Sequence, residues 1–179
     1  INPKMGEIYF AKSTIYLKQS KIKKAEISLL SGIKILPKNF KAIFQLGNIY
    51  LMEKNYEKAI EEFDKAIKIK KDFWQAINNQ GLAYFELNKI NLSIISFKKA
   101  IELEENAEPL LALASCLKNK DINKAIVLAK KALNKDPNYV DFNYRKEQLW
   151  GEKLQISTEK LFENPQIKKE ILVAKTKIK

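Results

Sequence analysis

The sequence predicts an all-α fold, about four consecutive helix–turn–helix units stacked side by side and closed by a C-terminal capping helix. Three observations carry this prediction. Residues of matching size recur every 34 positions. Within each period, apolar side chains fall at helical spacing in two stretches of about 13 residues. Polar turn residues and prolines lie between and after those stretches, where helices are expected to stop.

The period is read by placing Gly47 under Gly81, which also brings Tyr50 onto Tyr84, Phe63 onto Phe97 and Ala66 onto Ala100. Stepping back by the same 34 residues sets Tyr16, Ala25, Leu29 and Gly32 against Tyr50, Ala59, Phe63 and Ala66. The first unit is therefore 6–39, the second 40–73 and the third 74–107. A fourth, 108–139, keeps Ala125, Ala129, Ala132 and Pro137 in step with Ala25, Leu29, Gly32 and Pro37 at a separation of 100, two residues short of three full periods. The shortening is expected near Lys118–Asp121, between its helices.

The residue types explain why such units stack. Small residues at Gly47, Ala59 and Ala66 allow close helix approach, and Tyr50 and Phe63 fill the space beside them. Asn55, the stretch 88–91 and Asp121 supply turn chemistry, and Pro37 and Pro137 bar helix continuation. One unit cannot bury its apolar face alone, so stacking is obligatory. Residues 138–163 read as one long helix within a capping segment, 140–164, that gives the last unit a polar outer face. Gly151 is expected to kink it. Asn164-Pro165 marks a break, and 165–179 reads as a short helix with a Lys-rich tail.

Composition removes several kinds of chemistry. The chain has no His and one Cys, Cys116, which excludes Ser-His-Asp and Cys-His catalysis, His-ligated zinc, multi-Cys metal sites and an intrachain disulfide. No glycine-rich phosphate loop occurs. Paired carboxylates at Glu61-Glu62 and Glu104-Glu105 read as solvated helix surface, Cys116 as an inert buried thiol, and Trp74 and Trp150 as packing anchors. Neither a catalytic residue, a metal nor a cofactor is expected. No run of 18 apolar residues is present, so no membrane-spanning helix is expected. The chain begins at Ile1 rather than Met, and an upstream targeting segment is compatible with that start. The expected setting is the cytoplasm or a membrane-associated complex.

The formal net charge is +12, yet Arg145 is the only Arg, and the abundance of Lys, Ile and Asn matches an AT-rich coding sequence. The excess sits at the two ends. Residues 1–39 carry eight Lys against Glu7 and Glu26, and 166–179 carry five against Glu170. No continuous basic stripe tracks a phosphate backbone.

Leu46-Gly47, Tyr50, Ala59, Phe63 and Ala66 resemble the signature of the tetratricopeptide repeat, and the resemblance spans roughly residues 6–139. Gln80, Ser93, Lys71 and Glu105 depart from its usual residues. The resemblance implies a right-handed α-solenoid whose first helices line a concave, peptide-binding groove. The residues expected to face that groove are Lys41, Phe44, Asn48 and Leu51 in the second unit, and Gln75, Asn78, Leu82 and Phe85 in the third. Phe10 and Thr14 join them from the first, and Gln45 and Asn79 flank the same surface. Amide side chains there would pair with the backbone of an extended peptide, and Phe44 and Phe85 would offer apolar pockets. Some family members clamp a C-terminal carboxylate between cations. Here Asn48 and Asn79 match its two Asn positions, but Phe44, Pro109 and Leu113 stand where charges would be, so a less acidic ligand is expected. The stretch Gln148-Leu149-Trp150-Gly151-Glu152-Lys153-Leu154, with Thr158, Leu161 and Phe162, resembles the tail of such repeat proteins from cyanobacteria and plastids, several of which assist assembly of photosynthetic membrane complexes. The expected function is a non-catalytic scaffold or assembly factor for a protein or peptide partner. The alternative is RNA or an anionic surface held by the Lys-rich faces.

Overall fold

The computed structural model describes residues 3–178. Among them are eleven α-helices, two 3-10 turns and no strand. The first eight helices form four hairpins: α1 (Pro3–Lys18) with α2 (Ile22–Ile35), α3 (Phe40–Met52) with α4 (Tyr56–Ile69), α5 (Trp74–Glu86) with α6 (Ile90–Leu103), and α7 (Ala107–Leu117) with α8 (Ile122–Lys135). A 3-10 turn at Pro137–Val140 leads to α9 (Phe142–Glu147) and α10 (Glu152–Phe162). A second turn at Pro165–Ile167 leads to α11 (Lys168–Lys177). The packing divides the chain into two units between Ala76 and Ile77, inside α5.

In the first unit, α1 packs on α2, α2 on α3 and α3 on α4. The alternation of small and large residues is what makes this close. A Cβ on Gly47 would lie 2.5 Å from the Phe63 ring, so only Gly lets α3 approach α4. Ala59, Phe63 and Ala66 are fully buried, and Tyr50 is buried beside them. In the first hairpin the pairing is inverted: the small residue, Gly32, is on α2, and the ring that fills its space is Phe10 of α1. Phe40, Phe44 and Phe73 form an aromatic cluster, with centroids 5.0 Å (Phe40–Phe73) and 4.9 Å (Phe44–Phe73) apart in edge-on geometry.

The turns within hairpins repeat as faithfully as the core. Ser20, Lys54 and Asn88, 34 residues apart, take φ of 56°, 57° and 59°. The following N–H groups, of Lys21, Asn55 and Lys89, donate back to the carbonyls of Tyr16, Tyr50 and Tyr84 at 2.8, 2.8 and 2.9 Å. This left-handed residue closes each first helix by pairing a carbonyl that the helix leaves open. Asn39, Asn55 and Asp121 then cap α3, α4 and α8 through their side chains.

In the second unit, α6 packs on α7 and α7 on α8. Phe97 fills the space over Gly81, and Ser93 donates to the Gly81 carbonyl at 2.9 Å, which accounts for a hydroxyl at a position held by Ala in the other units. The turn of the last hairpin, 118–121, is short. Both Lys120 and Asp121 donate their N–H to the Leu117 carbonyl at 2.8 Å, and none of these residues has positive φ.

The helix expected over 138–163 is not continuous. The chain turns at Gln148–Gly151, where Leu149 has φ 66° and Trp150 N–H returns to the Arg145 carbonyl at 3.1 Å. This is the same closure used inside the repeats. Gly151 is therefore not a kink within a helix but the N-cap of α10. The return lays α10 against α7, and α11 packs on α8.

Candidate interaction site

The residues expected to line a groove divide sharply in their exposure. In the first unit, α3 buries Ala42, Ile43, Leu46, Gly47, Ile49, Tyr50 and Leu51. What remains is a polar stripe. Lys41 is exposed, Gln45 and Asn48 are half-buried, and Met52 follows one turn later at 50 % exposure. The spacing of 41, 45, 48 and 52 places all four on one face of α3. Phe44 stands beside this stripe but is engaged, with its ring 5.7 Å from Phe63 and 4.9 Å from Phe73. Gln75, at the start of α5, is half-buried. Phe10 is a correction. It belongs to the interior, with its ring packed over Gly32.

In the second unit the expected groove residues are covered. Asn78 is fully buried, Asn79 and Phe85 are buried, and the side chains of Asn78 and Asn79 bond to each other at 3.1 Å. The cover is the segment from Trp150 through α10. Trp150 donates its indole N–H to Glu108 Oε1 at 3.0 Å, and Asn78 bonds the same carboxyl. Ser115 of α7 and Thr158 of α10 share a hydroxyl hydrogen bond of 2.7 Å, and Ser157 donates to the Ser115 carbonyl at 2.9 Å. Glu86, at the end of α5, is buried and accepts the N–H of Leu154 at 3.0 Å and of Lys153 at 3.3 Å. It performs the capping that Gly151 cannot. A Cβ on residue 151 would lie 2.2 Å from the Glu86 carboxyl carbon, so the close approach requires glycine.

The electrostatics follow from this enclosure. Burial pushes the Glu108 carboxyl up to about 7, against the opposing pull of Trp150 and Asn78. Arg145 of α9, wholly buried, ties the C-terminal hairpin together. It donates Nε to Gln155 Oε1 at 2.8 Å, Nη1 to the Tyr139 carbonyl at 2.7 Å and Nη2 to the Glu159 carboxylate. The sequence reading missed Glu86, Glu108, Ser115 and Arg145 as parts of this surface. One signal was present: Trp150-Gly151, a large ring beside the smallest residue, marks a close approach.

Of the paired carboxylates, Glu61, Glu104 and Glu105 are exposed and Glu62 is half-buried; Glu62 pairs with Lys65 at 2.6 Å and Glu105 with Lys131 and Lys135. Cys116 is buried beside Ser93, and burial pushes its thiol up to about 12. Among the described residues, no group of acidic and Cys side chains is arranged to hold a metal, and no helix is long and apolar enough to cross a membrane.

Hairpins of this length, with glycine-mediated contacts and turns in a 34-residue register, define an α-helical repeat protein. Residues 40–73 and 75–106 each match the family model described as Tetratricopeptide repeat, so the chain carries two tetratricopeptide repeats in tandem. Solved structures share the fold. MamA from Desulfovibrio magneticus (residues 41 to the end) is 16% identical, with a TM-score of 0.72 over 98% of each chain. YrrB, described as a TPR protein with an unusual peptide-binding site, is 19% identical, with a TM-score of 0.64 over 94% of this chain and 90% of that one. The first TPR of Spaghetti (RPAP3), bound to the HSP90 peptide SRMEEVD, is 21% identical, with a TM-score of 0.64 over 66% of this chain and 95% of that one. A search of the curated proteins finds no match.

Proposed function

We propose that the protein is a non-catalytic interaction scaffold that holds a segment of a protein partner on the first-helix faces of its repeats. The observation that carries this reading is the stripe of Lys41, Gln45, Asn48 and Met52 on α3, a helix otherwise committed to the core. Two amides offer donors and acceptors together, Met52 offers an adaptable apolar contact, and Lys41 favours an acidic neighbour. The peptide-binding site named for YrrB and the peptide complex named for the first TPR of Spaghetti (RPAP3) support the reading by analogy of fold.

The test is affinity purification with mass spectrometry from matched extracts. It compares wild type with a Lys41→Ala, Gln45→Ala, Asn48→Ala variant of unchanged circular dichroism and melting temperature. The variant is expected to lose the specific partners, and an unchanged captured set refutes the reading. A salt series on the captured complex separates the alternative. Five phosphate contacts to single-stranded RNA would give a log–log slope of about −3.5, whereas an amide and thioether face gives a shallow one.

A further inference from the structure

The second unit presents the same kind of face as the first, but the chain itself lies on it. Five separate polar contacts fix the segment there, and each joins residues far apart in sequence: Trp150 to Glu108, Leu154 and Lys153 to Glu86, Thr158 to Ser115, and Ser157 to the Ser115 carbonyl. Between them Leu154, Leu161 and Phe162 are buried, while Glu152, Lys153, Ile156, Glu159 and Lys160 face solvent. This is how an amphipathic helix docks in a groove, with apolar anchors on one side and a charged back. The docked helix also arrives with a distinctive end. Its N-cap has no side chain, so its first-turn N–H groups are free for a carboxylate on the receiving surface.

The fit is incomplete at one atom. Asn78 is fully buried and its side-chain nitrogen is used, but its Oδ1 accepts no hydrogen bond. A buried amide oxygen without a donor has lost its water and gained nothing in exchange. It lies one hydrogen-bonded step from the Trp150 indole, through Glu108. A ligand carrying one more donor at that place would satisfy what the chain's own segment leaves open. The segment is joined to the rest of the unit through the turn Gln148–Gly151, whose Leu149 holds a left-handed conformation unfavourable for a branched side chain.

We infer that residues 150–162 are a built-in occupant of the second unit's binding face, and that the external partner this face takes is an amphipathic helix. That helix begins with an indole beside Glu108, supplies a donor to Asn78 and offers an uncapped first turn to Glu86. The inference rests on the reading of these faces as protein-binding surfaces. Binding of the partner displaces α10, so capture is coupled to release of the C-terminal segment.

The test uses the full chain and a labelled synthetic peptide with the sequence of residues 148–164, isotopically distinct from the protein. In a Trp150→Ala, Leu154→Ala variant, whose own segment is loosened, the peptide is expected to bind at least tenfold more tightly than to wild type. Adding Glu86→Ala to that variant is expected to remove most of the gain. Equal affinity for wild type and the loosened variant overturns the inference. A second measurement needs no variant. Saturating peptide is expected to speed hydrogen exchange at residues 152–158 of the wild-type chain by displacement, and unchanged protection under saturating peptide overturns it. These readouts are independent of the α3 stripe. Failure here with success of the triple variant removes only the displaced helix, and the converse removes only the α3 reading.

Discussion

The indole N–H of Trp150 donates to Glu108 Oε1 at 3.0 Å, across 42 residues of sequence, and the carboxyl that receives it is pushed by burial up to about 7. That pairing makes stability depend on pH in a direction opposite to that of a salt-bridged acid. The folded state holds the Glu108 proton more tightly than the unfolded chain, whose carboxyl has its ordinary value near 4.5. The contribution of this group is full below about 4.5 and is lost as pH rises through about 7. Glu108→Gln keeps an acceptor for Trp150 and removes the titration. The urea midpoint of wild type is expected to fall relative to that of the variant between pH 5 and pH 8. A constant difference between the two curves contradicts the enclosure of this carboxyl.

Arg145 is the chain's only arginine, and the structure gives the reason for it. Its guanidinium meets Gln155, the Tyr139 carbonyl and Glu159 in three directions, with the Phe162 ring 5.4 Å away. A planar fork does this, and an ammonium on a flexible stem does not. Arg145→Ala is expected to cost about 3–5 kcal/mol, because it strands buried acceptors around an empty space. Arg145→Lys restores little of this. Glu159→Gln costs far less, since that side chain is half exposed. Chemical denaturation of the three variants checks the order.

The repeat register makes its own prediction. Ala66 has no exposed surface, and Tyr50 keeps only 8 %. Ala66→Phe is expected to overpack the α3–α4 hairpin and cost about 1–3 kcal/mol. Tyr50→Ala is expected to cost about 3–5 kcal/mol through the cavity it leaves. Thermal melts of both variants that overlay wild type would contradict the register.

These effects also mark where the fold was legible in the sequence. Gly47 with Phe63 and Gly81 with Phe97 are local pairs, 16 residues apart and repeated, so size alternation announces them. Tyr16, Tyr50 and Tyr84 were legible as a column for the same reason. Glu86 with Gly151 was not. The two are 65 residues apart and occur once, so no periodicity reports them. Gly151 alone suggests a kinked helix, and only the approaching carboxylate shows it to be a cap. Leu149 misleads in the same way, since a leucine beside a tryptophan reads as helix interior, whereas here it closes a helix with φ 66°. Asn78 and Phe85 were legible as first-helix face residues, but what lies over them was not, because the covering segment follows no repeat pattern.

The last prediction concerns the single thiol. Cys116 is buried on α7 beside Ser93, with 3.6 Å between their sulfur and oxygen, and burial pushes it up to about 12. At pH 8 the thiolate of such a group is about one part in ten thousand, and the thiolate is the reacting species. An aromatic disulfide reagent is therefore expected to modify native protein only as fast as the second unit opens, and to modify it at once in denaturant. Loosening the cover should matter less than loosening the core. Trp150→Ala acts on the face of α7 that meets α10, whereas Cys116 meets Ser93 of α6. Ser93→Val, which removes the hydroxyl and crowds that contact, is expected to raise the rate more than Trp150→Ala. The reverse order would mean that the C-terminal segment, and not the α6–α7 contact, protects the thiol.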